Sequence, residues 1–290
     1  MKRRPWWASK KRMPNRNVWM LIVLVAAPAL VYGQWLNHRT PGIPRTPDGK
    51  PNLSARAPRA ADGRPDLSGL WQTDSAPQEM LDRLIPTDTN GAGEVPMSQY
   101  FINVLSDFKP EEAPIRPAAA ALFLQRSKTF SNESPLSHCL PEGMPLVEMA
   151  PAPYKIIQTP GLTLMLYERD TTFRQVFIDG RKLPDDPQPS WLGYSVGKWD
   201  GDTLVVDTAG FNDRGWLDAR GHSHSDALHL TERFHRLDFG HMEVHLTIDD
   251  PKTYTRPFTV LLKQRLRPDS DLLEYFCAEN EKDIPHVEAK

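Results

Sequence analysis

Acidic side chains are missing from the first 33 residues, and the whole 290-residue chain holds only two cysteines, Cys139 and Cys277. Missing too are a Gly-x-Ser-x-Gly elbow, a phosphate loop, a dinucleotide fingerprint and a paired-cysteine metal motif, so hydride transfer and nucleotide chemistry have no support. No cofactor is expected. Beyond the leader there is no basic excess. Taking its seven basic residues from a chain of net charge −2 leaves −9 on residues 34–290. A negative domain lacks the cationic footprint that neutralises phosphates, which excludes nucleic acid as the default partner. Two cysteines in an oxidising compartment favour a Cys139–Cys277 disulfide over a metal site or a nucleophile.

What the leader does hold is Lys2, Arg3, Arg4, Lys10, Lys11, Arg12 and Arg16, followed by an uncharged run over residues 18–36. Basic residues ahead of an apolar segment stay on the cytoplasmic side, so the rest of the chain is expected to be extracytoplasmic. Val31 and Gly33 suit cleavage before Gln34, as in a secreted or periplasmic protein. The run is also long enough to span a bilayer as a membrane anchor, with Trp19 and Trp35 at its two interfaces. Both outcomes stay open. Arg3-Arg4 lacks the surroundings of a twin-arginine signal, and no cysteine follows the apolar run to carry a lipid.

Proline is plentiful, at 28 residues. Because proline punctuates regular elements, the front half is expected to be irregular. A Pro-rich arm over residues 37–66 contains Asp48-Gly49-Lys50-Pro51-Asn52-Leu53-Ser54, repeated as Asp62-Gly63-Arg64-Pro65-Asp66-Leu67-Ser68. This reads as one turn motif used twice. Residues 67–153 form a wrapping segment, with a first strand at Gly69-Leu70-Trp71 and short helices over 78–86 and 117–128.

From residue 154 to about 280 the pattern alternates with period two, which predicts an all-β domain, with 281–290 as a tail. Strands are expected over 154–158, 162–168, 173–179, 193–199, 202–208, 228–237, 241–249, 257–267 and 271–277. Asp200-Gly201 is expected to be a two-residue hairpin loop. Coincidence of the apolar faces around residue 239 requires Phe234 to pair with Val244 across a three-residue loop, Asp238-Phe239-Gly240, with Gly240 left-handed. An antiparallel meander of this kind predicts a barrel, since closure removes exposed edges, with a two-sheet sandwich as the alternative.

The densest polar stretch runs from Asp207 to Asp226. Here His222 and His224 lie near Asp218 and Asp226, but no zinc-ligand spacing is present and no metal is expected. His229, His235, His241 and His245 alternate outward. Glu232 is the anomaly, because alternation puts its carboxylate on the apolar face, where it must be paired, protonated or functional. Arg174 and Arg265 are its candidate structural partners. Glu232 or Asp207, with His222 or His224, forms the candidate acid–base set. Trp191, Tyr194, Trp216, Asp218 and Asp226 are candidate ligand-binding residues around a mouth.

Two stretches carry a resemblance. One runs from Asp62-Gly63-Arg64-Pro65-Asp66-Leu67-Ser68 into Gly69-Leu70-Trp71. The other is Gly193-Tyr194-Ser195-Val196-Gly197-Lys198-Trp199-Asp200-Gly201-Asp202-Thr203-Leu204-Val205-Val206-Asp207-Thr208. Together with Thr231-Glu232-Arg233, Asp249-Asp250-Pro251 and Tyr275-Phe276-Cys277-Ala278-Glu279, they resemble a large family of exported bacterial proteins that has no assigned activity. Gly69-Leu70-Trp71 ahead of an antiparallel meander is also similar to the lipocalin entrance, which implies binding of a small apolar molecule.

Three functions follow from these readings. The first is an extracytoplasmic barrel that binds a small, partly apolar ligand. The second is an acid–base hydrolase, dehydratase or isomerase on the same scaffold. The third is a structural envelope protein that uses its Pro-rich arm as a contact segment.

Overall fold

A computed structural model describes residues 39–85, 97–127, 133–277 and 279. The expected leader and the tail lie outside the described residues. Nine strands close into one barrel: β1 (Gly69–Thr73), β2 (Pro153–Thr159), β3 (Leu162–Tyr167), β4 (Thr172–Phe177), β5 (Tyr194–Asp200), β6 (Thr203–Ala209), β7 (His229–Arg236), β8 (His241–Asp249) and β9 (Phe258–Leu266). Neighbours follow chain order, and β1 closes the ring by pairing with β9. The expected barrel is formed, and the alternative two-sheet sandwich is not.

Two features depart from a pure meander. β4 and β5 run parallel, because the chain crosses the height of the barrel between them over residues 178–193. The strand expected over 271–277 is not one. In a closed ring both edges of β9 are already taken, by β8 and β1, so no ladder is free to receive it. That segment instead carries Cys277, disulfide-bonded to Cys139 with Cα atoms 5.4 Å apart. The disulfide points to an oxidising compartment.

Turn chemistry sets the register at both central hairpins. Asp200 pairs with Thr203, so the tight loop is Gly201-Asp202, one residue later than expected, with φ +60° at Gly201. Phe234 faces Val244, and Leu237 N–H donates to His241 O across the expected three-residue loop. Gly240, however, is not left-handed. A Cβ there would lie 2.4 Å from Leu53 Cβ, so glycine is required by the arm that packs on it.

That arm closes the lower end of the barrel. Both copies of the repeat fold into the same turn, with bridges Arg45–Pro51 and Arg59–Pro65 and φ +82° at Gly49 and Gly63. Each copy sends its arginine to a barrel acid: Arg45 to Asp269 at 2.5 Å and Arg59 to Asp202 at 2.6 Å. Leu67 is fully buried. Arg236 lies 4.9 Å over the Trp71 ring and donates to the carbonyls of Asp66, Asp238 and Phe239.

The upper end is covered by the irregular front half and the long loops. Four short helices belong to it: α1 (Gln78–Leu84), α2 (Gln99–Ile102), α3 (Pro117–Arg126) and α4 (Leu146–Met149). Every residue of α4 is buried. Among the described residues no helix is long and apolar enough to cross a membrane.

Candidate functional site

Period-two alternation sends one set of side chains into the lumen. Most are apolar, among them Trp71, Leu204, Val206, Leu230, Phe234, Val244, Leu246, Ile248 and Leu262, all essentially inaccessible to solvent. A polar group is buried among them: Thr73, Tyr154, Tyr167, Arg174, Ser195, Thr208, Glu232 and Gln264.

Glu232 is 0 % exposed and faces Arg174, the first of its two candidate partners. Arg174 Nη1 donates to Glu232 Oε1 at 2.9 Å and Nη2 donates to Oε2, a bidentate pair. Arg174 Nε donates to Ser195 Oγ at 2.9 Å and Nη2 to Thr208 Oγ1 at 2.7 Å. The other candidate, Arg265, is on the outer wall beside Asp74. A guanidinium taken out of water at this cost needs most of its donors satisfied, and this one has them.

A second carboxylate enters from above. The segment around α4 crosses the upper mouth and drops Glu148 into the lumen, with its Oε2 3.6 Å from Arg174 Nη1. Tyr167 donates its hydroxyl to the same oxygen at 2.8 Å. Burial pushes the Glu148 carboxyl up to about 8; Glu232 adds to the rise, and Arg174 and Tyr167 oppose it. The carboxyl is therefore largely protonated at neutral pH. Its Oε1 has no hydrogen-bond partner, nor has the hydroxyl of Tyr154, whose ring stacks on Tyr167 at 5.5 Å between centroids.

The segment carrying Glu148 is tied down at several points. Glu142 takes a bidentate bond from Arg169 at 2.5 and 2.6 Å. Met144 N–H donates to Trp191 O, which Gly143 approaches so closely that a Cβ there would lie 2.8 Å from that oxygen. Thr73 donates to Glu148 O at 2.8 Å and Ser98 to Met149 O. Those two hydroxyls also line a cleft of about 260 Å³ beside the mouth, with Ala76, Pro77, Tyr100, Leu262 and Lys263.

No family model, curated protein or solved structure matches this chain. The site has to be read from its own geometry.

The expected site residues are dispersed. Asp207 points out of the barrel, accepts from Thr231 at 2.9 Å and has His229 Nε2 at 3.8 Å. Tyr194 is also on the outer wall, stacked on Phe177 and bonded to Arg181. Asp226 is exposed and paired with Lys252 at 2.6 Å. Trp191 lies under Arg214 at 5.1 Å. Trp216 is buried beneath Arg126 of α3 at 4.9 Å.

Two of them, Asp218 and His222, do meet in the long loop. Asp218 accepts from the backbone N–H groups of Val104, Arg220 and His222 and from His222 Nδ1 at 2.5 Å. His222 stacks on Phe123 of α3 at 4.0 Å. Asp218 is thus the anchor of the long loop. His224 is buried against Phe211; burial lowers its pKa, so it is neutral. Neither histidine is among the contacts of Glu232. Among the described residues no group of three or more His, Cys, Asp or Glu is placed to hold a metal ion.

Glu148, Tyr154 and Tyr167 were not among the expected site residues. Glu148 had a sequence signal, being a lone acid inside Leu146-Val147-Glu148-Met149-Ala150. The tyrosines had none, since an aromatic on an inward strand position reads as core.

Proposed function

We propose that the protein is an extracytoplasmic small-molecule-binding barrel, taking up a small, partly apolar ligand at the cleft and holding it beneath the α4 plug. The observation that carries this reading is that Glu148 Oε1 and Tyr154 OH, two of four buried side-chain polar atoms without protein partners among the described residues, both belong to groups around Tyr167. An unmade hydrogen bond at a buried polar atom costs about 1–3 kcal/mol, and a bound molecule with a complementary group removes that cost. Gly69-Leu70-Trp71 on the first strand of a closed barrel supports the lipocalin-like part of the reading, and the disulfide supports its location.

The test is native mass spectrometry of the protein purified from its own envelope fraction, followed by thermal unfolding against a panel of small amphiphiles. A retained small molecule, or a rise in Tm with one amphiphile class, is the expected result. A protein that carries nothing and shifts with nothing overturns the reading.

Glu148 also favours a second reading, an acid–base enzyme. A carboxyl raised to about 8 is suited to donating a proton to a bound substrate at neutral pH. In that case Glu148 acts as the acid, in place of the histidines. Turnover of a panel compound that is lost in Glu148→Gln, with its binding retained, separates the enzyme from the binding protein.

A further inference from the structure

We infer that the apolar outer wall over β2, β3 and β4 is an interface between two copies of this chain, packed face to face with their barrels antiparallel. The contact uses neither the lumen nor the cleft, so it stands or falls apart from the small-ligand reading.

The outer positions of β7, β8 and β9 are those of a solvated wall: histidines, threonines and charged groups, with Leu261 the single aliphatic side chain. On β2–β4 the outer positions are mostly apolar. Register sets Ile157 beside Leu164, and Leu166 beside Phe173, on one face. The single charged outer position there, Lys155, is already paired with Asp271. The segment after β9 then lays a second apolar row across the top of this wall. Asp271 is held by Lys155, Leu273 N–H donates to Glu168 Oε2 at 3.2 Å, and Tyr275 is bonded to Thr171. Among the described residues, five of the seven exposed large hydrophobic side chains lie on this side: Ile157, Phe173, Leu273, Tyr275 and Phe276. A contiguous patch of this kind marks an interaction surface.

Area and charge both select a second copy. At a strand spacing of about 4.8 Å and a rise of about 3.3 Å per residue, wall and row together cover roughly 500 Å². A pair then buries on the order of 1,000 Å², enough for a specific, reversible contact. The two ends of the wall differ in charge. Toward the lower end are exposed Lys198 of β5 and exposed Lys182, which follows the Arg181 that stacks on Phe177 at the end of β4. Neither lysine has a partner among the described residues. At the upper end are Glu168 and Asp170, between β3 and β4, and exposed Glu274. A two-fold axis through the wall sets the lysine end of each copy against the carboxylate end of the other, whereas parallel barrels would set like charges together. A bilayer offers no such pair of opposite ends.

Sedimentation velocity of the exported protein isolated from its envelope fraction should show a dimer. Phe173 is 60 % exposed, so Phe173→Glu should keep the parent's Tm while weakening association at least about tenfold, as loss of an interface aromatic does. Leu273→Glu, in the segment outside the barrel, should do the same, and Thr247→Glu on the polar wall should leave the dimer intact. Carbodiimide cross-linking of mixed light and heavy isotope-labelled protein should join Glu274 of one copy to Lys182 or Lys198 of the other. A monomeric parent overturns the inference, and a monomer whose binding to phosphatidylcholine vesicles is lost in Phe173→Glu assigns the wall to a bilayer instead. A dimer that survives both Phe173→Glu and Leu273→Glu also overturns it, as does one cross-linked only between like ends.

Discussion

The two halves of the lumen are equally sealed and yet are built on opposite principles. Around Phe234 and Val244 the filling is apolar, and the nearby end is stopped by an arm that adds Leu53 and Leu67. Around Arg174 the filling is ionic and hydroxylic, and the end is stopped by α4, which adds a carboxyl. An apolar filling holds through area and fit, so any loss is felt as a cavity. The ionic filling gains little over water in total, but each member depends on the others, so removing one leaves a neighbour's charge buried alone.

The largest effects should come from one deletion in each half. Phe234→Ala should cost about 3–5 kcal/mol by cavity formation, at any pH. Glu232→Gln should cost a similar ~3–5 kcal/mol near neutral pH, because Arg174 loses its bidentate partner. The two losses should differ in their pH dependence. With Glu232 gone, Glu148 is the remaining carboxylate within 4.0 Å of Arg174, so its pKa should fall and part of the loss should be recovered as it ionises. Denaturant unfolding of the parent and both variants between pH 5 and 8 is the check: the loss relative to the parent should be flat for Phe234→Ala and should change for Glu232→Gln.

A slightly smaller effect concerns Glu148 alone. Its folded pKa, about 8, lies above the ordinary 4.5. The folded state therefore holds the proton more tightly than the unfolded chain. That contribution is fully present below about pH 4.5 and is lost as the pH rises toward about 8, by at most ~1.4 kcal/mol per pH unit. Glu148→Gln should be flatter across that window and more stable than the parent at pH 8. Unfolding curves for the variant that parallel those of the parent would mean that Glu148 is not the group responsible.

At the lower end, Gly240→Ala should cost about 1–3 kcal/mol, because its Cβ meets backbone-adjacent atoms of Leu53 rather than a flexible tip. The arm should loosen first, read as faster proteolysis within residues 39–66. Smallest of all, Arg59→Ala should leave Tm unchanged, since its pair with Asp202 is solvent-exposed.

The wall of the barrel was readable from the sequence, because period-two alternation and turn residues are local. Eight of the strands, the Phe234–Val244 register and the outward histidines all follow from them. Alternation also picked out Glu232 as an acid on the apolar face, and of the two candidate partners, Arg174 and Arg265, it is Arg174 that holds it. What the sequence missed or left open depends on distant chain. Residues 271–277 have strand-like composition but no free edge to join. Asp207 sits on a strand with two apolar faces, and only the ring decides that it points outward. The acid–base set combined groups from a strand and a loop that are near in sequence and separated by the barrel wall.

By itself, then, the sequence determined an all-β domain with a basic, apolar leader, a twice-used turn and one buried acid, because charge, alternation and turn chemistry act over a few residues. Tertiary structure alone decided that the sheet closes, that an irregular segment more than eighty residues upstream of Glu232 supplies its companion Glu148, and that two tyrosines of the core wall lie beside it. The buried carboxyl takes its protonation from burial beside Glu232, opposed by Arg174 and Tyr167, contributed by three different strands. No local pattern encodes such a meeting, since it exists only once the ring has brought those strands around one point.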